Sequence, residues 1–522
     1  MSHTTTTTGR TPGRPSGGAG GTDGRGVRAA ATSTTPAQRW SFLGIISLGL
    51  FLVGADNSIL YTALPVLRDE LHTTALQGLW IINAYPLVLV GLLLGTGTLG
   101  DKIGHRVMFL TGVSVFGIGS LLAAFSPNAW MLIAARAVLG FGAATMMPAT
   151  LALIRQTFTD VRERNTAIGI WGSIAVVGAA SGPVLGGFLL EHFHWGTVFL
   201  INVPVVIVIL VATAVYAPAN QADPSRHWDV LSSVWAMLAM VGAVMAIKEI
   251  ANSAGSTNLV LTSVGVAVIG GALFTHRQGL LRRRGMPALL EFGIFRDRMF
   301  TGGTLAAMFA MFVLAGAELM TTQRFQTSGG FSPLEAGLLV ASAAVPAIPA
   351  SILGGMNLHR LGFRTLITGG FIIGAVGMAT VVWAVPDQPM WQVVMGLGLV
   401  GVGSGCVMSV SSSAIIGSAP ESKAGMASSV EAISYEFGTL LSVAILGSLM
   451  PMFYAMNAPS AVSGDVDHGV DHPVFGAAAA DAYDTGYLLV LVIAGIVAVV
   501  AAAVTAWCFR GNPKEADYSA HE

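Results

Sequence analysis

The sequence predicts an all-α polytopic membrane protein of fourteen transmembrane helices, arranged as two pseudo-symmetric six-helix bundles plus two inserted helices. Three observations predict it. The 522 residues are 53% apolar and only 10% charged, against roughly 25% charged in soluble domains. Too few polar groups are present to cover a soluble chain of this length, so most of its surface faces lipid. Apolar runs of about 20 residues, the length that crosses a bilayer, recur along the chain. Finally, a charged glycine turn, Gly97-Thr98-Leu99-Gly100-Asp101-Lys102-Ile103-Gly104-His105-Arg106, returns in degraded form 258 residues later as Gly355-Met356-Asn357-Leu358-His359-Arg360-Leu361-Gly362-Phe363-Arg364. His359 stands in the copy where the first turn has Asp101. Duplicated sets of spans are a common way to build a membrane protein with two moving halves.

The runs place spans at about 40–62, 77–100, 107–126, 130–153, 166–190, 196–217, 230–248, 257–275, 299–322, 334–356, 364–385, 391–416, 425–450 and 486–509. Turn residues separate them, as in Ser126-Pro127-Asn128. Ser332-Pro333-Leu334-Glu335 reads as a capping box with Pro at the first helical position, marking a helix start. The glycine turns follow spans 2 and 10, so spans 1–6 and 9–14 are the equivalent halves and spans 7 and 8 are inserted. The units expected are a disordered tail, 1–38; a first bundle, 39–219; an inserted pair with a basic segment, 220–298; a second bundle, 299–509, with an outer segment at 457–485; and a tail, 510–522. The first unit is rich in Thr, Gly, Pro and Ser and lacks the apolar centre of a signal peptide.

An even span count puts both tails on one side. With the tails cytoplasmic, 22 of the 26 Lys and Arg fall inside, leaving Arg68, Arg136, Lys248 and Arg324. Segment 457–485 then lies outside, with five Asp and no Lys or Arg. The positive-inside rule therefore sets both termini in the cytoplasm and the chain in the inner or plasma membrane. The net charge of -1 implies no nucleic-acid partner. Cys406 and Cys508 lie in apolar runs and predict neither a disulfide framework nor a zinc site. Gly396-Leu397-Gly398-Leu399-Val400-Gly401 spells a dinucleotide motif without its strand, no lysine follows a glycine as a P-loop requires, and Asp467-His468-Gly469-Val470-Asp471-His472 reads as an incidental loop cluster. No cofactor and no metal are expected.

Ionisable groups inside spans are costly and tend to be functional. They are Asp56, Glu318, Glu431, Glu436 and Arg136. Burial disfavours the charged form of an acid, so an acid in a dry cavity exchanges protons near neutral pH. Asp56 is the first candidate; the alternative is an acid bonded to neighbouring helices. Glu431 and Glu436 are five apart and project on different faces, with Tyr435 beside Glu431. Glu318 reads equally as a cation contact or as an interfacial residue reaching for water. Arg136 stays charged and needs a carboxylate or helix carbonyls. Trp80, Trp171 and Tyr435 are candidates to stack on a flat cation.

Four signatures carry a resemblance. They are Asp56-Asn57-Ser58-Ile59-Leu60-Tyr61-Thr62-Ala63-Leu64-Pro65 in span 1, the decamer 97–106, Arg136 with Gly140 and Gly142 in span 4, and Gly178-Ala179-Ala180-Ser181-Gly182-Pro183-Val184-Leu185-Gly186-Gly187 in span 5. Phe199-Leu200-Ile201-Asn202-Val203-Pro204 agrees with them. The chain resembles the major facilitator superfamily, in its 14-span drug:proton antiporter branch, over about 40–510. Ser58, Tyr61 and Asn83 depart from the pattern; Asn83 stands where quaternary-ammonium exporters carry Asp.

The resemblance implies a secondary transporter that exports hydrophobic, cationic or amphipathic drugs against protons, as a monomer in the bilayer. It implies proton and cation handling by Asp56, Glu431, Glu436 and Glu318. Coupling and gating fall to Asp101, Arg106, Arg136, Gly97 and Gly104, with Asp101 holding Arg106 and a helix end in one access state. The antiporter helix motif is Gly178, Gly182, Pro183, Gly186 and Gly187. Trp80, Asn83, Trp171 and Tyr435 are candidate cargo contacts. The competing readings are a narrow exporter of an endogenous natural product, a proton-coupled importer and an intramembrane enzyme.

Overall fold

The computed structural model describes residues 35–158, 160–223, 229–251, 256–286, 289–387, 389–419, 424–464 and 466–510. The helices are α1 (Pro36–Glu70), α2 (Ala75–Ile103), α3 (His105–Ala124), α4 (Ala129–Thr157), α5 (Val161–His192), α6 (Thr197–Leu200), α7 (Asn202–Tyr216), α8 (Val230–Ala251), α9 (Thr257–Arg283), α10 (Arg298–Thr327), α11 (Pro333–Asp387), α12 (Met390–Gly417), α13 (Ala424–Asn457), α14 (Val466–Val470) and α15 (Gly476–Cys508). A 3-10 turn at Phe292–Arg296 precedes α10. No strand occurs among the described residues.

Among the described residues, twelve stretches are long and apolar enough to cross a membrane, counting α6 and α7 together. One of them, α11, holds two spans, because Gly362 breaks it at φ 76°, ψ 161°. The 32-residue α5, packed along α1, completes fourteen. Gly104 breaks the chain between α2 and α3 in the same backbone region, at φ 91°, ψ 136°. The repeated turn of the sequence is thus a repeated backbone event, and glycine alone enters that region without strain. A Cβ on Gly104 would also lie 2.1 Å from Asn220 Oδ1.

The first half is α1–α7, with α1 on α5 and α4 against α2 and α3. The second is α10–α15, with α11 against α12 and α15, and α10 against α12, α13 and α15. The halves meet along two seams, α2–α13 and α5–α11, and α1 touches α10 between them. Among the described residues, the inserted pair packs on the α2–α13 seam through α8. Residues Val244 and Leu440 join Leu87 and Ala444 in an apolar cluster of α8, α13 and α2. Outside it, α9 packs on α8 and exposes Leu261, Val268 and Ile269.

Closest approaches between the halves fall at the end away from the chain termini. A Cβ on Gly187 would lie 2.5 Å from Leu334 Cα, one on Gly337 2.2 Å from the Pro183 carbonyl, and one on Gly447 2.5 Å from Leu79. Gln326 Nε2 donates to the Thr62 carbonyl at 2.9 Å. This far end is also tied within the second half, where Arg324 grips Asp484 at 2.9 and 2.5 Å.

The helix start at 333 is as the sequence predicts. Glu335 N–H donates to Ser332 Oγ at 3.2 Å, and Ser332 N–H to Glu335 Oε2 at 2.9 Å. Several helices outrun the expected spans, α1 to Glu70 and α9 to Arg283 among them, and the largest correction is at α15, which begins at Gly476, ten residues before the span expected from 486. The run Ala477-Ala478-Ala479-Ala480 has strong helix propensity, which extends the helix beyond its apolar core.

Candidate functional site

Asp56, midway along α1, is buried with 1% of its surface exposed, and Arg136 on α4 with 0%. A cation this deep must be neutralised and bonded. Arg136 Nη1 donates to Asp56 Oδ2 at 2.5 Å, and Nε to the Ile81 carbonyl at 3.1 Å. Its guanidinium lies 4.5 Å from the centre of the Tyr85 ring. Asn202, opening α7, donates from Nδ2 to Asp56 Oδ1 at 2.9 Å and to Ser120 Oγ at 3.2 Å. Two helices, α4 and α7, therefore converge on the carboxylate that α1 carries, and both its oxygens are engaged. Of the two partners the sequence left open to Arg136, it uses both.

The acids of the second half are held otherwise. Glu318 on α10 is buried at 8% exposure, so it does not reach for the interface. Glu436 on α13 has Oε2 without a hydrogen-bond partner. Their helices are neighbours, since α10 packs on α13 and also touches α1 of the first half. Glu431 lies nearer the tail end of α13, accepting from the Tyr435 hydroxyl at 3.3 Å; that hydroxyl also donates to the Met408 carbonyl at 3.0 Å.

The aromatic candidates separate. Trp80 packs on the cluster where α8 covers α2 and α13. Trp171 donates its indole N–H to Thr150 Oγ1 at 3.0 Å. Asn83 is fully buried on α2, and neither of its amide atoms has a partner.

The glycine motif of α5 has two faces. Gly178, Gly182 and Gly186 meet α1; a Cβ on Gly182 would come 2.8 Å from the Ala55 carbonyl, beside the site. Gly187 and the Pro183 carbonyl meet α11 of the opposite half. The motif is a closure strip between helices, one side within the half and one across it.

At the tail end Asp101 and Arg106 are not paired with each other. Asp101 pairs with His105 at 3.1 Å. Arg106 donates to the Ala214 carbonyl at 2.9 Å and the Pro218 carbonyl at 3.4 Å, capping α7. Gly97 lies in α2 two turns before Gly104. The Asp101–Arg106 contact expected of the latch is absent from this conformation, because the α7 terminus offers Arg106 unsatisfied carbonyls. The side chains of Asp467 and His468 lie outside the described residues.

Reading the sequence missed Asn202, Ser120 and Tyr85 as site residues. Asn202 lies in the stretch Phe199 to Pro204, and an Asn at the start of an apolar helix was the available signal. Tyr85 carried none, since a tyrosine in a membrane helix is common.

Two repeated helical halves, closed at one end over buried charges, define a secondary transporter and not an enzyme. Residues 46–441 match the model of the Major Facilitator Superfamily. The chain is 34% identical over 499 residues to the multidrug efflux pump LfrA of Mycolicibacterium smegmatis, covering 92% of this chain and 98% of that one. It is 36% identical over 416 residues to the methyl viologen resistance protein SmvA of Salmonella typhimurium, covering 79% and 83%. A bacterial homologue of the human lysosomal transporter Spinster, solved inward-facing and occupied, superposes with TM-score 0.65 at 16% identity over 92% of this chain and 98% of that one. The chain belongs to the Major Facilitator Superfamily and is an integral membrane protein that handles small molecules.

Proposed function

We propose that the protein is a proton-coupled antiporter that exports hydrophobic, cationic or amphipathic drugs by alternating access. It works as a monomer in the cell membrane with both termini cytoplasmic, the first bundle spanning 39–219 and the second 299–509. The observation that carries this reading is the contrast in charge between the halves: Asp56 of the first is paired with Arg136, whereas Glu436 of the second keeps a buried Oε2 without a hydrogen-bond partner. A buried carboxyl favours its neutral form, and a bound cation favours the carboxylate. Proton and cargo then exclude each other at one site. The gradient supplies about 1.4 kcal/mol per pH unit, and the potential ~2.3 kcal/mol per 100 mV for each net charge moved. The names of LfrA and SmvA support drug cations as cargo.

With the tails inside, the closed far end faces out, so this conformation opens to the cytoplasm. In this reading Asp101 and Arg106 are the parted halves of a latch that forms when the tail end closes. The test is proton release from purified protein in weak buffer on adding methyl viologen or tetraphenylphosphonium, with uptake into proteoliposomes across an imposed pH gradient. Release by both cations, lost in Glu436→Gln, is the expected result. Cargo movement indifferent to pH on either face would overturn the exchange mechanism, and response to one natural product alone would favour the narrow exporter.

A further inference from the structure

At the tail end of the second bundle, α10 begins, α11 breaks and α15 ends side by side. A Cβ on Gly302 of α10 would lie 2.9 Å from Cys508 Cβ and 3.0 Å from the Phe509 ring. Phe363, next to the break at Gly362, stacks on Phe509 with ring centres 6.0 Å apart and planes 14° apart. The segments 296–300, 359–364 and 507–510 carry Arg296, Arg298, Arg360, Arg364 and Arg510, all exposed. Asp297 is the one acid in these segments. Its carboxylate is committed to the start of α10, where it accepts from Met299 N–H at 2.7 Å and Phe300 N–H at 3.3 Å. Among the described residues no hydrogen bond or ion pair engages any of the five guanidinium groups.

One of the five is held in place. Arg298 Cζ lies 4.5 Å from the centre of the Trp507 ring, and Trp507 is 61% exposed. Stacking covers one face of the guanidinium and leaves its N–H edge free, the edge that matches two oxygens of a phosphate. A tryptophan exposed at the end of a span sits at the level of the lipid headgroups. From Trp507 toward the bilayer centre, α15 exposes Val500, Ile496 and Val492, and α11 exposes Ile372 and Val376. The two helices touch where a Cβ on Gly495 would lie 3.5 Å from Met378 Cβ. A fixed cationic fork at headgroup depth thus stands over an apolar face. The other exposed basic run, Arg282, Arg283 and Arg284 at the end of α9, has no ring stacked against it among the described residues.

We propose that Arg298, stacked on Trp507, forms with Arg364 and Arg510 a binding site for the phosphate of an anionic phospholipid, whose acyl chains lie on the outer faces of α11 and α15. Charge selects the lipid. A zwitterionic headgroup brings its own cation toward five arginines, whereas an anionic one brings only the charge they lack. Free phosphate shares the recognition chemistry but leaves the apolar face below uncovered. A lipid held there fastens the start of α10 and the end of α15 to one leaflet. The site needs the bilayer and neither cargo nor proton, so it stands apart from the exporter reading.

The test is native mass spectrometry of the full-length protein, released from detergent containing equal amounts of dioleoyl phosphatidylglycerol and dioleoyl phosphatidylcholine. The first lipid retained is expected to be phosphatidylglycerol, at least fivefold over phosphatidylcholine; equal retention overturns the site. Arg298→Gln is expected to lower that ratio at least threefold. Arg298→Lys, which keeps the charge and loses the planar fork, is expected to lower it as well, and a full ratio in Arg298→Lys overturns the stacked fork. Replacing Arg282, Arg283 and Arg284 together by Gln is expected to leave the ratio unchanged; a fall equal to that of Arg298→Gln would mean that general surface charge, and no built site, attracts the lipid. Should the Arg298 variants not fold, Trp507→Leu removes the platform and is expected to lower the ratio in the same way, an unchanged ratio overturning the site. Inorganic phosphate at 10 mM (a probe concentration of roughly this order outcompetes a weak anion contact) is expected to displace no lipid, and displacement overturns the lipid as the ligand.

Discussion

Asp56 in the first half and Glu436 in the second are both carboxylic acids in the membrane interior, and they are held in opposite ways. Asp56 has both oxygens engaged, by Arg136 at 2.5 Å and Asn202 at 2.9 Å. Glu436 leaves its buried Oε2 without a hydrogen-bond partner. The difference separates two jobs that look alike in sequence. An acid locked to a buried arginine contributes to the integrity of its bundle, since removing one partner leaves an uncompensated charge. An acid without such a partner is released to change protonation, because little of the fold depends on its charge.

The sharpest way to break this comparison is Arg136→Ala. It strands the Asp56 carboxylate, and the expected loss is about 3–5 kcal/mol of stability with no measurable transport. Thermal unfolding in detergent and uptake in proteoliposomes check it, and a stable, active variant would mean the pair is dispensable. Next comes Glu436→Gln, expected to cut proton-driven efflux at least tenfold while stability stays within about 1 kcal/mol. A large drop in melting temperature would show that Glu436 is structural after all and erase the contrast. Asn202→Ala removes one of the two supports of Asp56. It is expected to cost about 1–3 kcal/mol and to lower efflux several-fold, read by the same pair of assays. The smallest effect on folding is expected at the tail end. Asp101→Asn breaks a half-exposed contact with His105, worth at most ~1 kcal/mol, yet slows exchange if the latch role holds; normal exchange in vesicles would remove that role.

The two seams show how much of this was legible beforehand. The repeat made two equivalent halves legible, but not which helices would meet between them. Nor was the inequality of the seams legible: α8 covers α2–α13, whereas α5–α11 is closed by the bare backbone of Gly187, Pro183 and Gly337. Nothing in an apolar helix of 22 residues tells which groove it will occupy. The glycines of α5 were legible as a motif, but the division of labour between Gly182 and Gly187 required the neighbours. Arg136 was legible as a residue needing a carboxylate; that the carboxylate is Asp56, 80 positions away, was a matter of packing. Glu318 was read evenly between water and interior, and helix packing buried it.

Composition, span length and the glycine turns determined by themselves that this chain lies in a bilayer as two related sets of helices. Those properties are local, set by what apolar side chains and a positive-φ glycine demand wherever they occur. Tertiary structure alone decided which acid is paired, which is left with an unbonded oxygen, and which seam carries the extra helix. These depend on distances between residues far apart in the chain, and in a membrane nearly every helix surface is apolar enough to pack against any other. Only the few polar atoms buried between the helices single out one arrangement, and their partners are known once the helices are in place.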